Sequence, residues 1–126
     1  MTDLIVRNSA SKGRGVFAAK AFEAGETLEI CPVIPLSTED AARLDATHLY
    51  NYYFGWAPDD KGAAIALGYG SLYNHSYTPN ASYRKQYAEG MIHFAALIPI
   101  AAGEEIFVTY NYPPGEEAGL LWFEVN

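Results

Sequence analysis

Strand-forming residues occur along most of the chain in short runs that are separated by glycine, proline and asparagine. Runs of this kind, rich in valine, isoleucine, tyrosine and phenylalanine, are typical of half-buried β-strands. The Glu89-Gly90 step between two of these runs is typical of a hairpin turn. The pattern predicts a mostly β domain whose strands lie at residues 4–7, 15–19, 27–31, 50–56, 81–87, 91–98 and 105–110.

One segment carries the signals of a helix of ordinary length. Ser37 precedes Asp40 by three residues, the spacing of a capping box in which the serine accepts from the backbone and the acidic side chain reaches back. Good helix formers follow as far as Leu44. A second, shorter helical turn is expected at 116–123, so the pattern predicts one or two short helices.

One turn pattern occurs twice, at residues 22–28 and 100–106, where a Gly-Glu step leads into a strand. We interpret these segments as two similar turns in a β-rich chain and not as a duplicated domain. Nothing in the sequence is typical of a linker or of low complexity. Residues 1–126 are therefore expected to form one domain, with a core at about 4–112 and a tail at 113–126.

Composition narrows the class of protein. Half of the 126 residues are hydrophobic and 18% are charged, which is typical of a folded domain with its own core. No apolar run approaches the roughly 20 residues that a membrane-spanning helix needs, and the polar start does not resemble a secretion signal. A single cysteine, Cys31, excludes an internal disulfide framework and a multi-cysteine zinc cluster. A reducing cytoplasm is the expected setting.

The charge is unbalanced, with 8 basic against 15 acidic residues and a formal net charge of -7. Every lysine and arginine lies at or before Lys85. A net-acidic surface repels phosphate backbones, which argues against direct binding of nucleic acid. The same surface would attract a cationic peptide, although it would equally serve solubility.

The glycine-flanked step Gly13-Arg14-Gly15 matches the start of the dinucleotide-binding pattern G-x-G-x-x-A. That pattern has meaning where it opens a helix in a βαβ unit, whereas Val16 and Phe17 continue as a strand. A nicotinamide site is therefore excluded. The step is either a simple turn or backbone that a ligand can approach closely.

The densest polar cluster is the segment 74–80, Asn-His-Ser-Tyr-Thr-Pro-Asn. Its side chains offer hydrogen-bond donors and acceptors to a ligand, although a structural loop would also explain them. The three histidines, at 48, 75 and 93, lack the spacing of a metal site, and Ser71 does not stand in a nucleophile elbow. Most of the ten tyrosines should serve the core, while a few could line a channel that holds an amine.

Three segments together resemble the SET-domain protein lysine methyltransferases. The first, residues 12–18, contains a glycine pair, and the second, residues 70–80, contains an N-H-S-x-x-P-N signature. The third, residues 102–110, is a G-E-E strand that ends in Tyr110. The match spans about 4–112 and is closest to compact bacterial and viral members without a zinc segment after the domain. The resemblance implies a β-clip-like fold of small sheets with a threaded C-terminal segment, which ordinary connection rules would not predict.

The resemblance also implies an activity, the transfer of methyl from S-adenosylmethionine to a lysine side-chain amine without a metal. S-adenosylhomocysteine would be the product. The implied cofactor-binding residues are Lys12, Gly13, Arg14, Gly15, Asn74, His75, Tyr110 and Trp122. The implied catalytic residues are Tyr110 and Tyr52, and Tyr50 or Tyr53 could take the place of Tyr52. The implied substrate channel consists of Tyr52, Val108, Tyr112 and Trp122.

The chemistry suits these residue types. A free lysine has a pKa of about 10.4, so the site must favour the neutral amine by desolvation and by nearby positive charge. Tyrosine hydroxyls and backbone carbonyls can orient that amine. Val108 stands where the family often has a phenylalanine or tyrosine that limits methylation. The smaller valine leaves room, so we predict di- or trimethylation.

The implied partner is a basic protein such as a histone tail or a histone-like protein, with no nucleic acid or membrane involved. A homodimer could complete the substrate groove, and a secreted effector acting in a host is an alternative to the cytoplasm. The rival function is a catalytically silent SET-like module that binds cofactor or a basic peptide. A third alternative, a metal-dependent small β-barrel enzyme, is disfavoured because the three histidines lack the spacing of metal ligands.

Overall fold

The computed structural model of the protein describes residues 3–9, 13–47, 52–56 and 62–109. Within these ranges the chain forms one α-helix, Thr38–Leu44 (α1), and one 3₁₀ turn, Gly70–Leu72. It also forms nine strands: Leu4–Ser9 (β1), Gly13–Ala18 (β2), Thr27–Leu36 (β3), Phe54–Trp56 (β4), Gly62–Ala66 (β5), Asn74–His75 (β6), Ala81–Gln86 (β7), Met91–Ala96 (β8) and Glu105–Val108 (β9).

The strands form two small sheets. The first has the order β1-β2-β9-β6, and β6 is parallel to β9 while the other neighbours are antiparallel. The second has the order β4-β5-β3-β8-β7 and is antiparallel throughout. The long strand β3 pairs with β8 along its first part and with β5 along its last four residues. It therefore connects the two halves of the second sheet.

Both sheets contribute to one apolar core. Val16 and Ile106 from the first sheet and Ile92 and Phe94 from the second are fully buried in the same cluster. The ring of Tyr73 stacks on Phe94 with centroids 4.6 Å apart. Because apolar burial is the main source of folding free energy, this shared core fixes the two sheets against each other.

The repeated turn takes the same structure at both places. Phe22 and Ile100 pair with each other through two backbone hydrogen bonds of 2.8 and 2.9 Å. In each turn a glutamate, Glu26 or Glu104, accepts from the backbone N–H three residues earlier, at 3.0 and 2.6 Å. The glycine before each glutamate has a positive φ, +85° and +89°, which a residue with a side chain rarely adopts. The interpretation as two similar turns is consistent with this geometry.

The helix begins where the capping pattern predicts. The hydroxyl of Ser37 accepts from the backbone N–H of Asp40 at 3.1 Å, which satisfies one of the donors at the helix start. The carboxylate of Asp40 accepts from Arg43 at 3.1 Å, on the outer face of the helix. The helical turn expected at 116–123 and the threaded C-terminal segment lie outside the described residues.

Most predicted strands are present with ends shifted by a few residues, and Gly90 occupies the predicted hairpin with a φ of +68°. The prediction at 50–56 was too long, because Tyr52 and Tyr53 precede the strand that begins at Phe54. Strands β5 and β6 were not predicted. In the described part of the chain, no helix has the length and apolar character needed to cross a membrane.

Candidate functional site

Strand β9 lies between β2 and β6 and brings the predicted site residues into one sheet. Ile106 of β9 pairs with Val16 of β2, and Val108 pairs with His75 of β6. The segment Gly13-Arg14-Gly15 is the first half of β2, and Asn74 begins β6. The structure therefore places three segments that are distant in sequence side by side.

The side chain of Asn74 joins these strands. Its amide nitrogen Nδ2 donates to the backbone carbonyl of Arg14 at 3.1 Å and to Oε2 of Glu105 at 2.7 Å. A flipped amide would set Oδ1 against these two acceptors, so the hydrogen bonds define its orientation. Oδ1 consequently points away from Arg14 and Glu105.

Gly15 is required by close packing within the protein. A Cβ at this position would overlap Oε2 of Glu105 and stand 2.7 Å from Nδ2 of Asn74. Gly13 has a different requirement, since its φ is +73°, and among the described residues a Cβ there would meet nothing within 4 Å. The described side chains therefore leave the backbone at Gly13 uncovered, whereas they cover the backbone at Gly15.

Asn80, at the end of the 74–80 segment, binds the backbone of β9 with both ends of its amide. Nδ2 donates to the carbonyl of Glu105 at 2.9 Å, and Oδ1 accepts from the N–H of Phe107 at 2.8 Å. Ser76 adds a backbone hydrogen bond to the carbonyl of Val108 at 2.9 Å. The polar segment is therefore fastened to β9 along its length. These roles of Asn80 and Glu105 were not predicted from the sequence.

His75 and Val108 face the interior. His75 is 3% exposed, and its ring meets the ring of Tyr77 edge-on with centroids 4.7 Å apart. Tyr77 itself is 61% exposed, so it marks the solvent side of this site. Val108 is fully buried. Its assignment to the substrate channel stays a prediction.

The turn that precedes Asn74 is anchored to β3 by Glu29. The carboxylate of Glu29 accepts from the hydroxyl of Tyr73 at 2.7 Å and from the backbone N–H of Tyr69 at 3.4 Å. Burial, followed by the nearby carboxylate, raises the pKa of Tyr73 well above its usual value. The same two causes raise the pKa of Cys31 to about 12. Both groups therefore stay protonated and neutral near pH 7.

Two of the tyrosine candidates for the channel, Tyr52 and Tyr53, lie directly before β4. The hydroxyl of Tyr53 donates to the carboxylate of Asp45, at the end of α1. Which of Tyr50, Tyr52 and Tyr53 lines the channel stays a prediction. Tyr52 is half-buried and precedes β4, in the second sheet. Five residues with predicted roles lie outside the described part of the chain, so these roles stay predictions: Lys12, Tyr50, Tyr110, Tyr112 and Trp122.

No metal-ligating cluster occurs among the described residues. Specifically, residues 3–9, 13–47, 52–56 and 62–109 bring no three histidine, cysteine, aspartate or glutamate side chains together in a way that could hold an ion. The described site offers amide, hydroxyl and backbone groups together with the carboxylate of Glu105 and the imidazole of His75. Such groups are suited to orienting a ligand by hydrogen bonds.

Comparison with known proteins agrees with the geometry. The family model of the SET domain matches residues 13–111, and the chain belongs to this family. It is 34% identical, over 96% of its length and 77% of the relative's, to a Schizosaccharomyces pombe histone-lysine N-methyltransferase specific for lysine 37 of histone H3. The chain is an S-adenosylmethionine-dependent protein lysine methyltransferase, as predicted.

Solved structures show the same fold. A Plasmodium falciparum protein described as a candidate histone methyltransferase is 27% identical, with a TM-score of 0.71 over 92% of this chain and 99% of that one. A Chaetomium thermophilum Polycomb Repressive Complex 2 chain bound to S-adenosylmethionine is 24% identical, with a TM-score of 0.73. The match covers 86% of this chain but 15% of the larger one, so it shows the fold alone.

Proposed function

We propose that this enzyme methylates a lysine in a basic segment of a histone or a histone-like protein. The observation that carries the proposal is the similarity, along nearly the whole chain, to a methyltransferase specific for a lysine of histone H3. The net charge of -7 supports it, because an acidic protein attracts a lysine- and arginine-rich segment.

The cofactor would lie against the start of β2 and the beginning of β6. The backbone at Gly13, which the described side chains leave uncovered, and the Oδ1 of Asn74, which faces away from Arg14 and Glu105, fit a ligand with hydrogen-bonding groups. We assign Gly13, Arg14, Asn74 and His75 to the methionine and adenosine parts of S-adenosylmethionine. When bound, the cofactor supplies a methyl group activated by a sulfonium.

The residues of this chain would align the substrate amine. We assign Tyr110 and Tyr52 to the channel, where their hydroxyls would orient the neutral lysine nitrogen toward the methyl group. Thr109, the residue before Tyr110, is buried and donates its hydroxyl to the carbonyl of Ser76 at 3.0 Å. The chain that leads into Tyr110 is therefore held next to the Asn74–His75 strand.

The substrate test uses labelled cofactor with purified histones and with overlapping histone H3 peptides. We expect label in H3, located by mass spectrometry, and its loss when the target lysine is replaced by arginine. Tyr110→Phe is the matched control and should bind cofactor but transfer methyl at least about a hundredfold more slowly. Methyl transfer to non-histone proteins, without methyl transfer to any histone, would contradict the proposal.

Finer features of the reaction follow from the same assignment. Beside a valine at 108, two or three methyl groups should be added, and a product that remains monomethylated at long times would contradict this expectation. We further propose a metal-independent reaction, a cytoplasmic enzyme and a homodimer. Unchanged activity in a chelator, cell fractionation and analytical ultracentrifugation test these three points in turn.

A further inference from the structure

Glu105 lies where four strands of the first sheet meet. It belongs to β9, and its Oε1 accepts from the hydroxyl of Ser9 in β1 at 2.7 Å. Its Oε2 accepts from Nδ2 of Asn74 in β6 at 2.7 Å and lies close above Gly15 in β2. The carboxylate is half-buried between these strands. Oε2 thus contacts both segments to which we assign the cofactor, while Oε1 is held by β1.

The contact with Asn74 has a directional consequence. An asparagine amide has two N–H donors on one side and one oxygen acceptor on the other. Glu105 and the carbonyl of Arg14 take the two donors, which leaves a single orientation for Oδ1. Without the carboxylate one acceptor would remain, and the amide could rotate or flip. A hydrogen bond to an ionised group is also stronger than one between neutral groups.

We propose that Glu105 is a positioning residue for cofactor binding, which holds the side chain of Asn74 with Oδ1 facing the cofactor. Glu105 acts through Asn74 and does not touch the cofactor itself. Gly15 permits the arrangement, since any side chain there would displace the carboxylate. The inference rests on the proposed role of Asn74 in binding S-adenosylmethionine.

Calorimetry with S-adenosylmethionine tests the proposal on the full chain. Loss of one charge-assisted hydrogen bond should weaken cofactor affinity about tenfold in Glu105→Ala. The KM for cofactor should rise in parallel, whereas kcat at saturating cofactor should change less. Glu105→Gln keeps the shape and one acceptor, so it should recover part of the affinity. The matched control is Glu104→Gln. The carboxylate of Glu104 accepts from a backbone N–H within its own turn, so this variant should bind cofactor normally.

A double-mutant cycle separates positioning from general destabilisation. In an Asn74→Ala background, Glu105→Ala should weaken cofactor binding no further, because its effect passes through the missing amide. Urea unfolding of each variant reports stability, and Glu105→Gln replaces the alanine variant in the cycle if the latter does not fold.

Two results would overturn the inference. Unchanged cofactor affinity in Glu105→Ala, with weakened affinity in Asn74→Ala, would leave the proposed function intact and remove the role of Glu105. Fully additive losses would show that Glu105 does not act through Asn74. If Asn74→Ala itself binds cofactor normally, the assignment of the cofactor site fails instead.

Discussion

Replacing Asn80 by alanine would test how the polar segment is fastened to β9. The amide of Asn80 both donates to the carbonyl of Glu105 and accepts from the N–H of Phe107, at 2.9 and 2.8 Å. Alanine removes both bonds and leaves two backbone groups of a partly buried strand without these partners. We therefore expect Asn80→Ala to destabilise the protein.

The expected loss can be worked out from these two bonds. Each intramolecular hydrogen bond contributes about 1 kcal/mol net, and unsatisfied backbone groups add to the loss, which gives about 2–3 kcal/mol. For 126 residues the entropy of unfolding is about 0.26 kcal/mol per kelvin near the midpoint. The melting temperature of Asn80→Ala should therefore fall by about 8–11 °C.

Urea and thermal unfolding, followed by circular dichroism, would measure the loss. Asn8→Ala is the matched control, because Asn8 is exposed in β1 and its loss should cost less than about 0.5 kcal/mol. Asn80→Asp should lie between the two, since aspartate can still accept from Phe107 but cannot donate to Glu105. If Asn80→Ala is no less stable than Asn8→Ala, the two hydrogen bonds do not hold the segment.

Three further predictions concern the site and its surroundings. Gly15→Ala should lower both stability and cofactor affinity, because the methyl group of the alanine would overlap Glu105. Urea unfolding and calorimetry measure the two effects, and normal stability with normal cofactor binding would contradict the close packing at Gly15. Cys31, buried with a pKa of about 12, should resist thiol reagents at pH 8 until urea unfolds the chain, and fast labelling of the native protein would contradict this. Tyr53→Phe should lower the melting temperature but retain methyl transfer, whereas Tyr52→Phe should lower kcat. The reverse result would exchange their roles.

The buried thiol of Cys31 and the buried hydroxyl of Tyr73, both near Glu29, should make the protein less stable at high pH. Cys31 has a folded-state pKa of about 12 against an ordinary value of 9.0, and that of Tyr73 is also raised. Above pH 9 the unfolded chain therefore loses protons that the folded chain keeps. Stability is fully present below pH 9 and falls as the pH rises from 9 toward 12.

Elements with a local signal could be predicted from the sequence, while elements defined by distant partners could not. The cap of α1 at Ser37 and the hairpin at Gly90 depend on residues a few positions apart, and both were found where predicted. Strand β5 has the sequence Gly-Ala-Ala-Ile-Ala, which has low strand propensity. Its alanines at 63 and 64 are fully buried because β3, β4 and α1 lie against them.

In the site, too, features with a recognisable sequence pattern could be predicted, while features defined by distant partners could not. The resemblance to the family identified Gly15 and Asn74, and the structure brings them together as expected. The roles of Glu105 and Asn80 were missed because their partners lie 31 and 25 residues away along the chain. A Gly-Glu-Glu step predicts a turn that enters a strand, but it does not show which glutamate faces the site. The hydrogen bonds show it: Glu104 binds the backbone N–H of Ala101 within its turn, whereas Glu105, the first residue of β9, binds Asn74.

The position of β9 explains why the three family segments are informative together and weak alone. One of them supplies β9 itself, and the other two supply the strands on either side, β2 and β6. The second glycine of the pair, Gly15, is needed in β2 because a carboxylate from β9 lies above it, and that carboxylate in turn binds the asparagine of β6. Each segment therefore meets a steric or hydrogen-bonding requirement that the other two create. A chain that carried one of them without its partners would leave a polar group of the sheet unpaired, and such a group is costly to bury.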